Sequence, residues 1–116
     1  MASQTKRLNV YNLGILCGTL TFEENVYTFQ YLSTYQGPPI SLTMPYRLEP
    51  YTYTAFPPFF DGLLPEGYQL EGLLRLSKID RNDYMAQLAA VGSDMVGTVT
   101  VKEISNEETL SAGELL

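Results

Sequence analysis

The chain has 116 residues, of which 45% are hydrophobic, with 7 Lys+Arg against 13 Asp+Glu and a net charge of −6. That length makes one domain, able to bury roughly two-thirds of the surface its unfolded chain exposes, and the acidic balance argues against a phosphate-binding surface, which needs clustered Lys and Arg. A single cysteine, Cys17, and no histidine exclude an internal disulfide and the usual zinc spacings.

Met1 to Arg7 starts positive but has no apolar run behind it, and no stretch approaches the roughly 18 apolar residues of a membrane span. A protein of the cytoplasm, a reducing compartment, is expected. Residues 7 to 32 read as three strands in a meander. Leu8 and Val10 alternate with polar or tyrosyl neighbours. Leu16, Gly18, Leu20 and Phe22 take one face of the second strand and Ile15, Cys17, Thr19 and Thr21 the other. Tyr27, Phe29 and Tyr31 alternate with Val26, Thr28 and Gln30. Asn12-Leu13-Gly14 and Glu23-Glu24-Asn25 supply the turns.

Ser33 to Pro39 is a loop, since Pro38-Pro39 forbids a central strand. Ile40, Leu42 and Met44 return to period two and predict a short fourth strand. Pro45 to Phe56, with Pro45, Pro50, Tyr46, Tyr51 and Tyr53, reads as an irregular crossing with some rings packed inward. Pro57 and Pro58 suit the approach to a first helical turn, Phe59 to Leu64, which Pro65 ends. Leu70, Leu73, Leu74 and Ser77 then follow the spacing of a helix with one buried stripe, and Tyr68 sits on its first turn, off that stripe.

Asp80-Arg81-Asn82-Asp83 looks like a helix N-terminus, followed by Tyr84, Met85, Leu88 and Ala89 as the buried side of a short helix that Gly92-Ser93-Asp94 ends. Thr98 to Ile104 alternates again, a last strand expected to pair with the N-terminal meander. One domain over residues 1–104 and an acidic, frayed tail over 105–116 follow. The fold class is α+β: a five-stranded antiparallel sheet curled toward a barrel, with two or three short helices.

The run Pro57-Pro58-Phe59-Phe60-Asp61-Gly62-Leu63-Leu64-Pro65-Glu66-Gly67 resembles the "PPFF-D-LLPEG-W" signature of the N-terminal subdomain of HipA-type serine/threonine kinase toxins. Leu8 to Asn12 with Gly18-Thr19-Leu20 resembles the family's opening strand pair. Gly37 to Pro45 resembles its "GPPISLSLP" segment, and Gly92 to Val101 its closing strand. The similarity covers about residues 7 to 102. One departure is Tyr68, where the family usually has Trp.

Each candidate site has a plainer reading. Asp61 and Glu66, five apart across a turn, have the chemistry of an acid–base carboxylate pair. With no histidine or polar cluster beside them, the expected roles are structural: Asp61 bonding loop backbone and Glu66 complementing the helix dipole. Ser41, Ser77 and Ser93 have no histidine to activate them. Cys17, in mid-strand, reads as a small core or sheet residue and not a reactive thiol. The tyrosines at 46, 51 and 53 have no interleaved basic residue beyond Arg47, too few for a nucleic-acid stacking platform. Tyr68 is different. A large amphipathic ring on a rigid turn suits an interface anchor, the alternative being a core ring under Phe59 and Phe60. Adjacent helical residues point about 100° apart, so one of these two phenylalanines is core and the other is not.

No phosphate-cradling glycine loop, catalytic Asp loop or metal-binding Asp pair is visible, so no catalysis, cofactor or metal is expected. By the resemblance, the chain is similar to the free-standing, HipS-like antitoxin of split three-component systems. Its implied partners are a shortened, HipT-like serine/threonine kinase and a HipB-like helix-turn-helix DNA-binding protein, with no direct nucleic-acid or membrane contact. The expected kinase-binding residues are Phe59, Asp61, Leu64, Pro65, Glu66, Gly67 and Tyr68. The other reading is a structural subunit or fragment that completes the kinase body.

Overall fold

The computed structural model describes residues 6–92 and 98–104. Five strands, β1 (Lys6–Asn12), β2 (Ile15–Glu23), β3 (Val26–Tyr31), β4 (Tyr51–Tyr53) and β5 (Val99–Glu103), form one antiparallel sheet in the order β4-β3-β2-β1-β5. The first three are the expected meander, and β5 pairs back on β1 with Val10 opposite Val101. Both hairpins turn on two residues with positive φ, Leu13 and Gly14 in one, Glu24 and Asn25 in the other. That backbone matches the right-handed twist of the flanking strands. The sheet is open, with β4 and β5 at its edges, and does not close into a barrel.

Three helices, α1 (Pro58–Asp61), α2 (Gly67–Ser77) and α3 (Tyr84–Val91), lie between β4 and β5. Leu8, Val10, Cys17, Leu20, Phe29 and Tyr31 from the sheet meet Phe60, Met85 and Leu88 from the helices in one buried cluster. α3 begins as its sequence indicates, with the Asp83 carboxylate accepting from the Ala86 N–H at 3.1 Å. Gly92 ends it against β5, where a Cβ would collide with Val101.

Three expectations need correction. The fourth strand is not at Ile40 to Met44, where a tight turn closes by an isolated Ser41–Met44 bridge; it is Tyr51–Tyr53, inside the stretch read as irregular. Ile40 and Met44 are buried anchors of that turn, while Leu42 at its tip is 98% exposed. The Tyr31 hydroxyl fixes the anchors by accepting from the Ile40 N–H at 3.0 Å and donating to the Met44 carbonyl at 2.5 Å. Second, Cys17 shares the core face with Leu20, because the register slips between Val10 opposite Gly18 and Tyr11 opposite Leu16, leaving Cys17 as the extra residue of a bulge. Third, Ser77 is exposed, so the half-buried stripe of α2 is Leu70, Leu73 and Leu74. The segment 93–97 and the acidic tail at 105–116 lie outside the described residues.

Candidate docking site

The segment from Phe56 is nailed to the core up to Leu64 and then leaves it. Phe56 stacks on Tyr84 with centroids 5.2 Å apart and meets the edge of Tyr27. Pro57, extended at φ −60° and ψ 133°, precedes α1 with Pro58 in its first turn, where a missing N–H removes no helical bond. Phe60 is fully buried, 5.7 Å from Phe29, and Phe59 is half-buried edge-on to it. Of the two rings, Phe60 is the core one. Turn-type bonds carry the chain on, Leu63 N–H to Phe60 and Leu64 N–H to Asp61, until Pro65 breaks them.

α2 follows with five apolar side chains, at Tyr68, Leu70, Leu73, Leu74 and Leu76, and none is fully buried. Leu70, Leu73 and Leu74 are half-buried, with α3 as the neighbouring helix. Tyr68 is 96% and Leu76 85% exposed. An ion pair from Arg81 to Glu71 at 2.6 Å ties α2 to the start of α3, but both side chains are at least half exposed, so it adds little. Lys78, in the left-handed conformation at φ 55°, stops the helix. The result is a helix whose outer face leaves two large apolar side chains, Tyr68 and Leu76, in water.

The expected site residues divide into groups. Asp61, Leu64, Pro65 and Glu66 line one shallow cleft of about 280 Å³ with Leu70, Arg81, Tyr84 and Gln87. Phe59 lies behind them on the core, Gly67 opens α2, and Tyr68 stands clear of the cleft. Among the described residues the backbone hydrogen bond expected of Asp61 is not seen, whereas Glu66 stands at the positive end of α2, where its charge complements the helix dipole. Neither carboxylate makes a side-chain hydrogen bond among those residues, and Glu66 occupies the N-cap position of α2 with its side chain uncommitted. Both are exposed. Sequence reasoning missed Leu76 and Leu42; Leu76 carried a usable signal, since it falls outside the i, i+3, i+4 stripe of its own helix.

The remaining candidates are structural. Burial pushes the Cys17 thiol up to about 11, which keeps it protonated and unreactive near neutrality. Arg47 already lies 3.7 Å over the Tyr51 ring, while the Tyr46 hydroxyl donates to the Leu32 and Ser33 carbonyls, so these rings hold the crossing together. Among the described residues no three Cys, Asp or Glu side chains gather as a metal site, and no helix is long and apolar enough to cross a membrane.

Known proteins resemble this arrangement over nearly its whole length. A solved N-terminal domain of HipA toxin superposes with a TM-score of 0.71 at 26% identity, covering 91% of this chain and 99% of that one. An uncharacterized protein of Haemophilus influenzae is 31% identical over 94 residues, 81% of this chain and 89% of its own. A putative kinase of Sinorhizobium fredii, Y4mE, is 32% identical over 114 residues; the match covers 93% of this chain but only 27% of that protein. Residues 8–102 match the family model of the HipA N-terminal domain, and with the shared architecture this places the chain in the HipA N-terminal domain family.

Proposed function

We propose that this protein is the antitoxin of a bacterial toxin–antitoxin system, a non-catalytic partner that binds a HipA-like serine/threonine kinase and blocks its activity. The observation that carries the reading is α2: five apolar side chains, none fully buried, with Tyr68 almost wholly exposed at the start of the helix. An aromatic held on a rigid turn removes much apolar area from water at small entropy cost when it docks. Tyr68, at the position where the HipA-type signature usually has Trp, would enter or abut the nucleotide cleft, with Phe59, Asp61, Leu64, Pro65, Glu66 and Gly67 forming the supporting turn. A cytoplasmic complex with a HipB-like DNA-binding protein belongs to the same proposal, and a net charge of −6 supports its having no nucleic-acid contact of its own.

A second reading has one specific observation in its favour. In the putative kinase of Sinorhizobium fredii the matching region is 27% of a single longer chain. On this reading the domain completes the kinase body it is joined to rather than restraining it, and this protein would be a structural subunit. Co-expression separates the two. As an antitoxin, the wild-type chain restores growth to cells expressing a HipA-like kinase body that lacks this domain, and Tyr68→Ala, still folded, does not. Full protection by Tyr68→Ala contradicts the docking role of that ring; deeper growth arrest with the wild-type chain favours the subunit.

A further inference from the structure

We infer that Gly72 is a notch in the α2 face, which admits an apolar side chain of the kinase body between Tyr68 and Leu76. The inference rests on the kinase-binding reading above and names the residue that sets how closely the partner approaches. Tyr68, Gly72 and Leu76 follow one another at i, i+4 and i+8, the spacing of a single ridge on a helix surface, spanning about 12 Å along the axis. The two ends of that ridge are 96% and 85% exposed. Its middle has no side chain.

The domain's own packing does not account for this glycine. A Cβ built on Gly72 meets nothing within 4 Å, and α2 is regular helix on both sides, so neither a close approach nor a left-handed backbone requires it. Glycine is the least favourable helix residue after proline, and alanine would fit there at once. Gly92 and Gly18, by contrast, have backbone within collision distance of a Cβ. A missing tooth between two exposed apolar ones is a hole of the kind that a knob from a facing element fills.

The occupant is the kinase body for two reasons. The equivalent region of the Sinorhizobium fredii protein is part of a chain nearly four times as long as the matching stretch, so the remainder of a putative kinase is what such a domain is covalently tied to. The ridge is also polarised. Exposed Glu66 lies before its Tyr68 end, and exposed Arg75 and Lys78 flank its Leu76 end, while the ion pairs among the described residues use Asp83 and Glu71 with Lys6 and Arg81. A partner element with an apolar side chain at its centre, a basic group toward Glu66 and an acidic group toward Arg75 and Lys78 complements it.

The test titrates wild type, Gly72→Ala and Gly72→Leu against a purified HipA-like kinase body lacking this domain, with melting curves for the unbound chains. Gly72→Ala should melt roughly 3–6 °C higher than wild type, because the helix gains a better former, and yet bind more weakly. Gly72→Leu should stay folded and lose about tenfold or more in affinity, the effect of overfilling a close contact. Wild-type affinity in Gly72→Leu overturns the notch and leaves kinase binding standing. Absence of binding by the wild-type chain at micromolar concentration overturns both. Should Gly72→Leu melt below wild type, Gly72→Ala decides alone, and unchanged affinity there overturns the notch.

Discussion

Phe60 and Tyr68 stand on opposite sides of Pro65 and in opposite environments: the first is fully buried against Phe29, the second 96% exposed at the start of α2. Pro65 makes the division possible. It cannot continue the turn from α1, so the chain is released from the core before α2 begins. One ring anchors the segment to its own domain, and the other stands in solvent, where the proposed docking would use it.

The two rings should therefore respond differently to truncation. Phe60→Ala removes a buried aromatic and is expected to cost about 3–5 kcal/mol, enough to unfold much of the chain. Tyr68→Ala should change stability by no more than about 0.5 kcal/mol, as a surface substitution. Urea denaturation of both variants checks the contrast; a large loss for Tyr68→Ala would mean that the ring serves the fold.

Asp83 both caps α3 and accepts from Lys6 at 2.8 Å. Loss of the cap is expected to cost about 1 kcal/mol, and the ion pair, with side chains 39% and 32% exposed, a further few tenths to about 1. Asp83→Asn retains the cap and loses the charge. Thermal melts should rank wild type above Asp83→Asn and Asp83→Asn above Asp83→Ala.

Gly92→Ala should destabilise the chain even though alanine is the better helix former. The added methyl meets the Val101 side chain and carbonyl, so α3 and β5 must separate to admit it. A drop in melting temperature is expected, opposite in sign to the rise at Gly72.

Burial raises the Cys17 thiol from its ordinary 9.0 to about 11 and the Tyr31 hydroxyl from 10.0 to about 12. Folding favours the neutral form of both groups. Between the unfolded and folded values the unfolded chain binds fewer protons, so this contribution is complete below about pH 9 and is lost as pH rises toward 12. Stability measured by urea titration should fall over that window. At pH 8 a thiol reagent should leave the native chain unlabelled and modify it promptly in denaturant; rapid native labelling would place Cys17 outside the core.

How far the sequence reveals this molecule depends on whether a pattern is local. The meander, the cap at Asp83 and the core alternation of Tyr27, Phe29 and Tyr31 were legible because turn chemistry and period two act within a few residues. The fourth strand was not. Ile40, Leu42 and Met44 alternate as a strand does, but only the two flanking residues are buried, held by Tyr31, and Leu42 points to water. Tyr51–Tyr53 has no stronger pattern and becomes a strand because β3 offers it a free edge, a long-range pairing that local spacing does not encode. The bulge at Cys17 is hidden for the same reason. At the candidate docking site, the off-stripe placement of Tyr68 marked its exposure in advance. Leu76 has the same placement, and the meaning of Gly72 appears only once its surroundings are seen to be empty.

The central claim is that this chain acts on a kinase by occupying it, with no chemistry of its own. Its most direct test is the rate of autophosphorylation and target phosphorylation by a purified HipA-like kinase body lacking this domain, measured as the chain is added. The account predicts that the rate falls in a saturating manner to near zero at one chain per kinase, and that Tyr68→Ala shifts the curve to higher concentration. A rate that rises, or holds while the two proteins are shown to be bound, contradicts it.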